Sequence, residues 1–211
     1  MPFAWLGADG ACVKIAGPEV TLPHATVSEA YVLSLSPERL EEEGFVEVVE
    51  TPRPDELAFN VGDWDVEDVG GVLTQVWQAE PRSPEAICSL LCAHARQKRW
   101  ECEQAGLIFD GFALPTNDAG QAYIKGAAQA ASLNPALNKN WQVGNDPIAF
   151  TTFTNAQLLA LGWALDGLVQ GAFDVLAQVG TAIADGTITT REQIDAAFAA
   201  VNRTFTSEPT E

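Results

Sequence analysis

Apolar and polar positions alternate along the N-terminal part of the chain, up to about Glu80, and the period then changes to that of helices. "FAWLGADGACVKI" sets two apolar runs on either side of Asp9-Gly10, the pattern of a β-hairpin. "SPERLEEEGF" interrupts the alternation with a predicted short helix. Ser36 is its N-cap, Pro37 its first residue, acids fill the first turns and Gly44 stands just past the end. "FVEVVE" resumes the alternation and stops at Pro52 and Pro54. "DWDVEDVGGVLTQVWQ" predicts a second hairpin turning at Gly70-Gly71, with Asp63, Asp65 and Glu67 on one strand face and Trp64 and Val66 on the other.

"AEPRSPEA" ends the β-rich part. Ser83 and Pro84 open a helix expected to reach Ala105, with Ile87, Leu90 and Leu91 buried and Arg96, Lys98 and Arg99 late, before a stop at Gly106. "LIFDGFAL" reads as one strand, and Thr116 to Asp118 cap a helix that continues from Gln121 to Ala131 with Ile124, Ala127 and Ala128 on one face. A phosphate loop would need glycines between that strand and helix. Pro115, Thr116, Asn117 and Asp118 occupy the turn instead, and Asp118 would repel a phosphate.

"NPALNKNWQVGND" reads as a polar connection and "IAFTTF" as a short strand. Thr154 or Asn155 then opens the longest element, predicted over Ala156 to Ala184 and about 44 Å long. It is apolar enough to raise a bilayer span. Asp166, Gln170, Asp174 and Gln178 recur every four residues, however, so an amphipathic core helix is expected and no membrane insertion. Gly186 ends it, Thr189 with Glu192 is read as a capping box, and a last helix runs to Val201. "NRTFTSEPTE" reads as a flexible tail. The expected fold is α+β: an acidic β-rich docking domain over residues 1–80, a mainly helical domain over 84–201 with a long helix and a short β-hairpin, and the tail over 202–211.

Hydrophobic residues make up 47% of the 211, enough for a buried core. The net charge is -18, and sixteen of the 29 acids fall between Met1 and Glu80 against Lys14, Arg39 and Arg53 alone. Such a surface repels nucleic acid and anionic membranes, so no nucleic-acid partner is expected. The basic run "ARQKRW" does not reverse this, because Glu101 and Glu103 adjoin it. The first residues lack a basic segment and carry Asp9 where a secretory signal would be apolar, which predicts a chain that stays in a reducing cytoplasm. Cys12, Cys88, Cys92 and Cys102 then read as free thiols. Cys88 and Cys92 share a helix face, but no second close pair completes a zinc tetrahedron.

Chemistry needs convergent groups, and the sequence offers few. His24 lies in a proline-bounded loop. His94, three residues after Leu91, reads as a packed helix residue rather than a base. Asp63, Asp65 and Glu67 could attract calcium, but three carboxylates on a flat strand face do not wrap an ion. No catalytic, cofactor-binding or metal-binding residue is assigned, and an enzyme is not expected. Gly162, Gly167, Gly171 and Gly180 are the unusual feature, since glycine inside a helix costs about 1 kcal/mol relative to alanine. Gly167 and Gly171 would make a flat strip for a crossing helix, within the subunit or between copies. The candidate interface is Gly162, Trp163, Asp166, Gly167, Gln170 and Gly171.

"RQKRWECEQAG", "LIFDGFAL", "NDAGQAYIKGA", Trp141 before "IAFTTF", "FTNAQLLALGWALDGLVQGAF" and "ITTREQID" follow one another in a definite order. Over about residues 84–200 this order resembles a domain at the C-terminal end of many tailed-bacteriophage proteins, including tail-fibre and tail-fibre-assembly-like proteins. Leu168 stands near the place of that family's basic or histidine residue, and "VGNDP" replaces its acidic-glycine turn. The family carries no agreed activity, so the resemblance supplies no active-site residues. It implies a tail protein of the virion, assembled in the bacterial host cytoplasm. Its partners would be other phage tail proteins and further copies of itself, as a trimer or hexamer ring. One alternative is a tail-fibre assembly chaperone that binds a basic partner segment and leaves. Another is a metal-dependent envelope hydrolase with "GDWDVED" as its metal face.

Overall fold

The computed structural model describes residues 2–7, 12–23, 25–145 and 148–207. The chain forms two compact units, Met1–Ser83 and Pro84–Glu211.

In the N-terminal unit, β1 (Phe3–Leu6) pairs antiparallel with β2 (Cys12–Ile15), Phe3 opposite Ile15 and Leu6 opposite Cys12. The expected Asp9-Gly10 turn lies outside the described residues, as does His24. β3 (Val20–Thr21) and β4 (Thr26–Val27) form a small ladder of their own. A helix that the alternation did not predict follows, α1 (Glu29–Leu33), where the Ser28 hydroxyl accepts from the Tyr31 N–H. α2 (Pro37–Glu42) follows the sequence closely: Ser36 accepts from the Arg39 N–H, and Gly44 ends the helix at φ +78°. β5 (Phe45–Glu47) then takes the other edge of β1, giving the sheet order β2-β1-β5. Phe3, Trp5, Ile15, Leu22, Val32 and Phe45 close into the core of this unit.

β6 (Phe59–Val69) and β7 (Val72–Pro81) form the second hairpin, with Gly70 and Gly71 at φ +67° and +89°, the left-handed pair a tight hairpin turn requires. Trp64 faces Trp77 across the strands. The carboxylate face is not uniform, because the Lys14 ammonium donates to Asp63 Oδ1 at 2.6 Å and lies 4.1 Å from the Trp64 ring centre. The bond from Lys14, then that from the Trp64 N–H, holds the Asp63 carboxyl below its ordinary range.

The C-terminal unit contains α3 (Pro84–Gln104), β8 (Leu107–Phe109), β9 (Phe112–Leu114) and α4 (Asp118–Leu133). It continues with β10 (Lys139–Asn145), β11 (Ile148–Phe153), α5 (Asn155–Ala184), α6 (Arg191–Ala199) and β12 (Thr204–Phe205). Helix α5 is the centre, touching α3, α4 and α6. Leu158, Leu161, Leu165 and Leu168 are buried along one side of it, each contributing about 1.5–3 kcal/mol. Thr154 caps it in a full capping box with Gln157. α5 is long and apolar enough to cross a membrane, a test that core helices pass as well.

The structure departs from four local expectations. "LIFDGFAL" is two strands, not one: Asp110 and Gly111 at φ +49° and +82° fold it into a hairpin. The polar connection before "IAFTTF" is strand β10, antiparallel to β11. Its Trp141 is buried against Tyr123 and Phe153, at ring distances of 4.7 and 5.7 Å, and that packing outweighs the polar composition. The last helix is capped one residue later than expected, by Thr190 with Gln193. The tail is not loose over its described part, since β12 pairs in parallel with β8, and the Arg203 side chain donates to the Gly106 and Ala105 carbonyls.

Candidate interface on the long helix

Helix α5 buries one side and leaves the other to solvent, which follows from its sequence period. Asp166, Gln170, Asp174 and Gln178 all lie on the exposed side, and the Gln170 amide donates to Asp174 Oδ1 at 2.7 Å. Trp163 stands one turn before Asp166 and Gly167 and is 75% exposed. Half-exposed Phe173 lies on the same side, with the Arg99 guanidinium of α3 4.5 Å from its ring centre. Trp163 and Phe173 thus leave two aromatic rings open on the solvent side of α5, and aromatic side chains are enriched at contact sites.

The glycines sort differently. A Cβ at Gly162 would come within 2.7 Å of the Ala128 Cβ, so Gly162 is where α4 and α5 meet most closely. A Cβ at Gly167 would touch the Phe205 ring at 3.4 Å, and one at Gly171 would touch Val201 at 3.7 Å. All three neighbours are in the same unit. Helix α4 therefore crosses at Gly162, while the Gly167–Gly171 strip faces single side chains of the chain end rather than a helix. What remains open of the sequence-predicted set is Trp163, Asp166 and Gln170.

Ile148 and Phe150 of β11, for which the sequence predicts no contact role, are 68% and 65% exposed. Strand alternation places them together with Thr152 on one face, while Phe153 turns inward. A signal was present, because two large apolar residues two apart cannot share a strand face with a buried residue three beyond the second.

His94 Nε2 lies 2.7 Å from Asp195 Oδ1, and Lys98 approaches the same carboxylate at 3.5 Å. These pairs join α3 to α6. Cys88 and Cys92 are half-buried free thiols on α3. No group of three His, Cys, Asp or Glu among the described residues is arranged to hold a metal ion.

A family model described as a domain of unknown function, DUF4376, matches residues 86–201, more than half of the chain. The chain belongs to the DUF4376 family. The matched DUF4376 region starts two residues into α3 and ends just after α6, so it takes in both hairpins of the C-terminal unit and the whole of α5. It nearly coincides with the stretch, about 84–200, that the order of sequence features marks as one domain. No curated protein and no solved structure matches the chain.

Proposed function

We propose that this DUF4376 protein is a structural component of a bacteriophage tail, at the tail tip, baseplate or fibre attachment, and that it works through protein–protein contacts. The observation that carries the contact role is Trp163, 75% exposed beside Asp166 and Gln170 on the side of α5 that faces away from its buried leucines. Exposed aromatics of this kind are the usual energetic anchors of interfaces. Placement in a tail rests on the ordered pieces from "RQKRWECEQAG" to "ITTREQID".

Quantitative mass spectrometry of purified phage particles tests it. A copy number that is a multiple of three or six relative to the tail-tube protein is the expected result, in line with the symmetry of tail parts. Absence from particles, with the gene expressed during infection, would replace this reading by that of an assembly factor that departs. The acidic N-terminal part favours that second reading, since a basic fibre segment would be drawn to it.

A further inference from the structure

An open groove of about 970 Å³ lies in the N-terminal unit, between the end of β1, the β3–β4 ladder, the start of α1 and the end of α2. Its floor is the outer side of the core, at Trp5, Leu22 and Phe45. Leu6 and Tyr31, 44% and 42% exposed, leave apolar surface open in it. That volume is at the upper end for small-ligand clefts, about 300–1,000 Å³, and the groove is open along its side, a shape for an extended segment.

The rim is acidic. Glu19, Glu41, Glu42 and Glu43 line it. Glu43 is engaged already, by Arg39 at 2.5 Å and by the Tyr31 hydroxyl, which donates at 3.0 Å. Arg39 also reaches Glu42, at 3.4 Å between exposed groups. Neither Glu19 nor Glu41 has an ion-pair partner among the described residues. The other two bases of the acidic N-terminal part are paired elsewhere, Lys14 with Asp63 and Arg53 with Glu56. Among the described residues, the groove therefore joins an apolar floor to more negative charge than Arg39 alone offsets. A hydrophilic cation would leave the floor wet, and a neutral apolar ligand would desolvate carboxylates without pairing them.

We propose that this groove binds a basic peptide segment of a partner protein that carries an apolar anchor, the anchor lying against Leu6 and Tyr31 and its lysines or arginines reaching Glu19, Glu41 and Glu42. The binding does not depend on the tail reading. Selection of a random displayed peptide library on the full-length chain, followed by fluorescence anisotropy with the enriched peptides, tests it. Enriched peptides are expected to combine several Lys or Arg with a Leu, Phe or Trp. Their affinity should fall about tenfold or more in the triple variant Glu19→Gln, Glu41→Gln, Glu42→Gln, and likewise in Leu6→Ser. The variant Asp65→Asn, Glu67→Gln, Asp68→Asn, equally depleted of charge but on β6, should bind as the wild type does. Three results overturn the proposal: no basic and apolar peptides emerge, the β6 variant loses as much affinity as the groove variant, or the groove variant loses none. All the substituted acids are exposed, and unchanged thermal melting of each variant ties any loss to the groove.

Discussion

Asp110 shows how one residue can hold three parts of the chain. It is the non-glycine among the described residues with a positive φ, and it turns "LIFDGFAL" back on itself. Its Oδ1 accepts from the Ser207 N–H at 2.7 Å, its Oδ2 from the Gln157 amide at 3.1 Å, and its own N–H donates to the Phe205 carbonyl at 3.1 Å. Burial alone would push this carboxyl up, but the bonds from Ser207 and Gln157 outweigh it and leave the group below its ordinary range. A depressed carboxyl stabilises the fold fully above its unfolded value of about 3.9 and loses that contribution as pH falls through its lower folded value. Asp110→Asn keeps tolerance of the left-handed backbone and loses the charge, so it should cost about 1 kcal/mol at neutral pH. Asp110→Ala should cost about 2–3 kcal/mol, having also lost that tolerance and both acceptors. Urea denaturation at neutral pH and near pH 3 checks the sign: the gap between wild type and Asp110→Asn must narrow in acid. An equal gap at both would show that the charge does not matter. The Asp-Gly turn signal was in the sequence, but the partners are 47 and 97 residues away and no local pattern announces them.

Elements were legible where their causes are local and obscure where they are not. Thr154, Gly186 and the Ser36-Pro37 pair each mark a helix boundary through a bond or dihedral within four residues, and the helices begin or end there. Strand β10 has no such marker, because it is held by pairing with β11 and by Trp141 packing on Tyr123 and Phe153. The glycines of α5 looked alike for the same reason: helical spacing reveals a face but not what lies opposite it. At Gly162 the added methyl of alanine meets the Ala128 Cβ at 2.7 Å, a contact that must shift. Overpacking of this kind costs about 1–3 kcal/mol, more than the gain of about 1 kcal/mol in helix propensity. At Gly180 nothing lies within 4 Å of the added methyl, so only the gain remains. Gly162→Ala should therefore lower the melting temperature and Gly180→Ala raise it, each by an amount corresponding to about 1 kcal/mol. If both raised it, the α4–α5 approach would have room to yield.

At the scale of the whole molecule the question is what covers Trp163. Its neighbours Asp166 and Gln170 were legible as a polar stripe, whereas the exposed face of β11 was missed, because exposure of an apolar strand face depends on which neighbour is absent rather than on the strand's own residues. Self-association through α5 predicts a solution mass of three or six times 22.5 kDa by light scattering. A Gly167→Leu substitution would be a poor probe of it, since the new side chain would strike Phe205 inside the unit and displace the chain end. Trp163→Ser is a better one, because a side chain 75% exposed supports little of its own unit's core. Loss of an interface anchor typically costs about 2 kcal/mol or more, which lowers an association constant about 30-fold. The variant should thus fall to a single-chain mass at concentrations where the wild type is assembled, with its circular dichroism and melting unchanged. A wild type that is a single chain at every concentration would rule out self-association and leave Trp163 to a different partner. An assembled Trp163→Ser protein would move the interface off this face of α5, with Ile148 and Phe150 on β11 as the next positions to substitute.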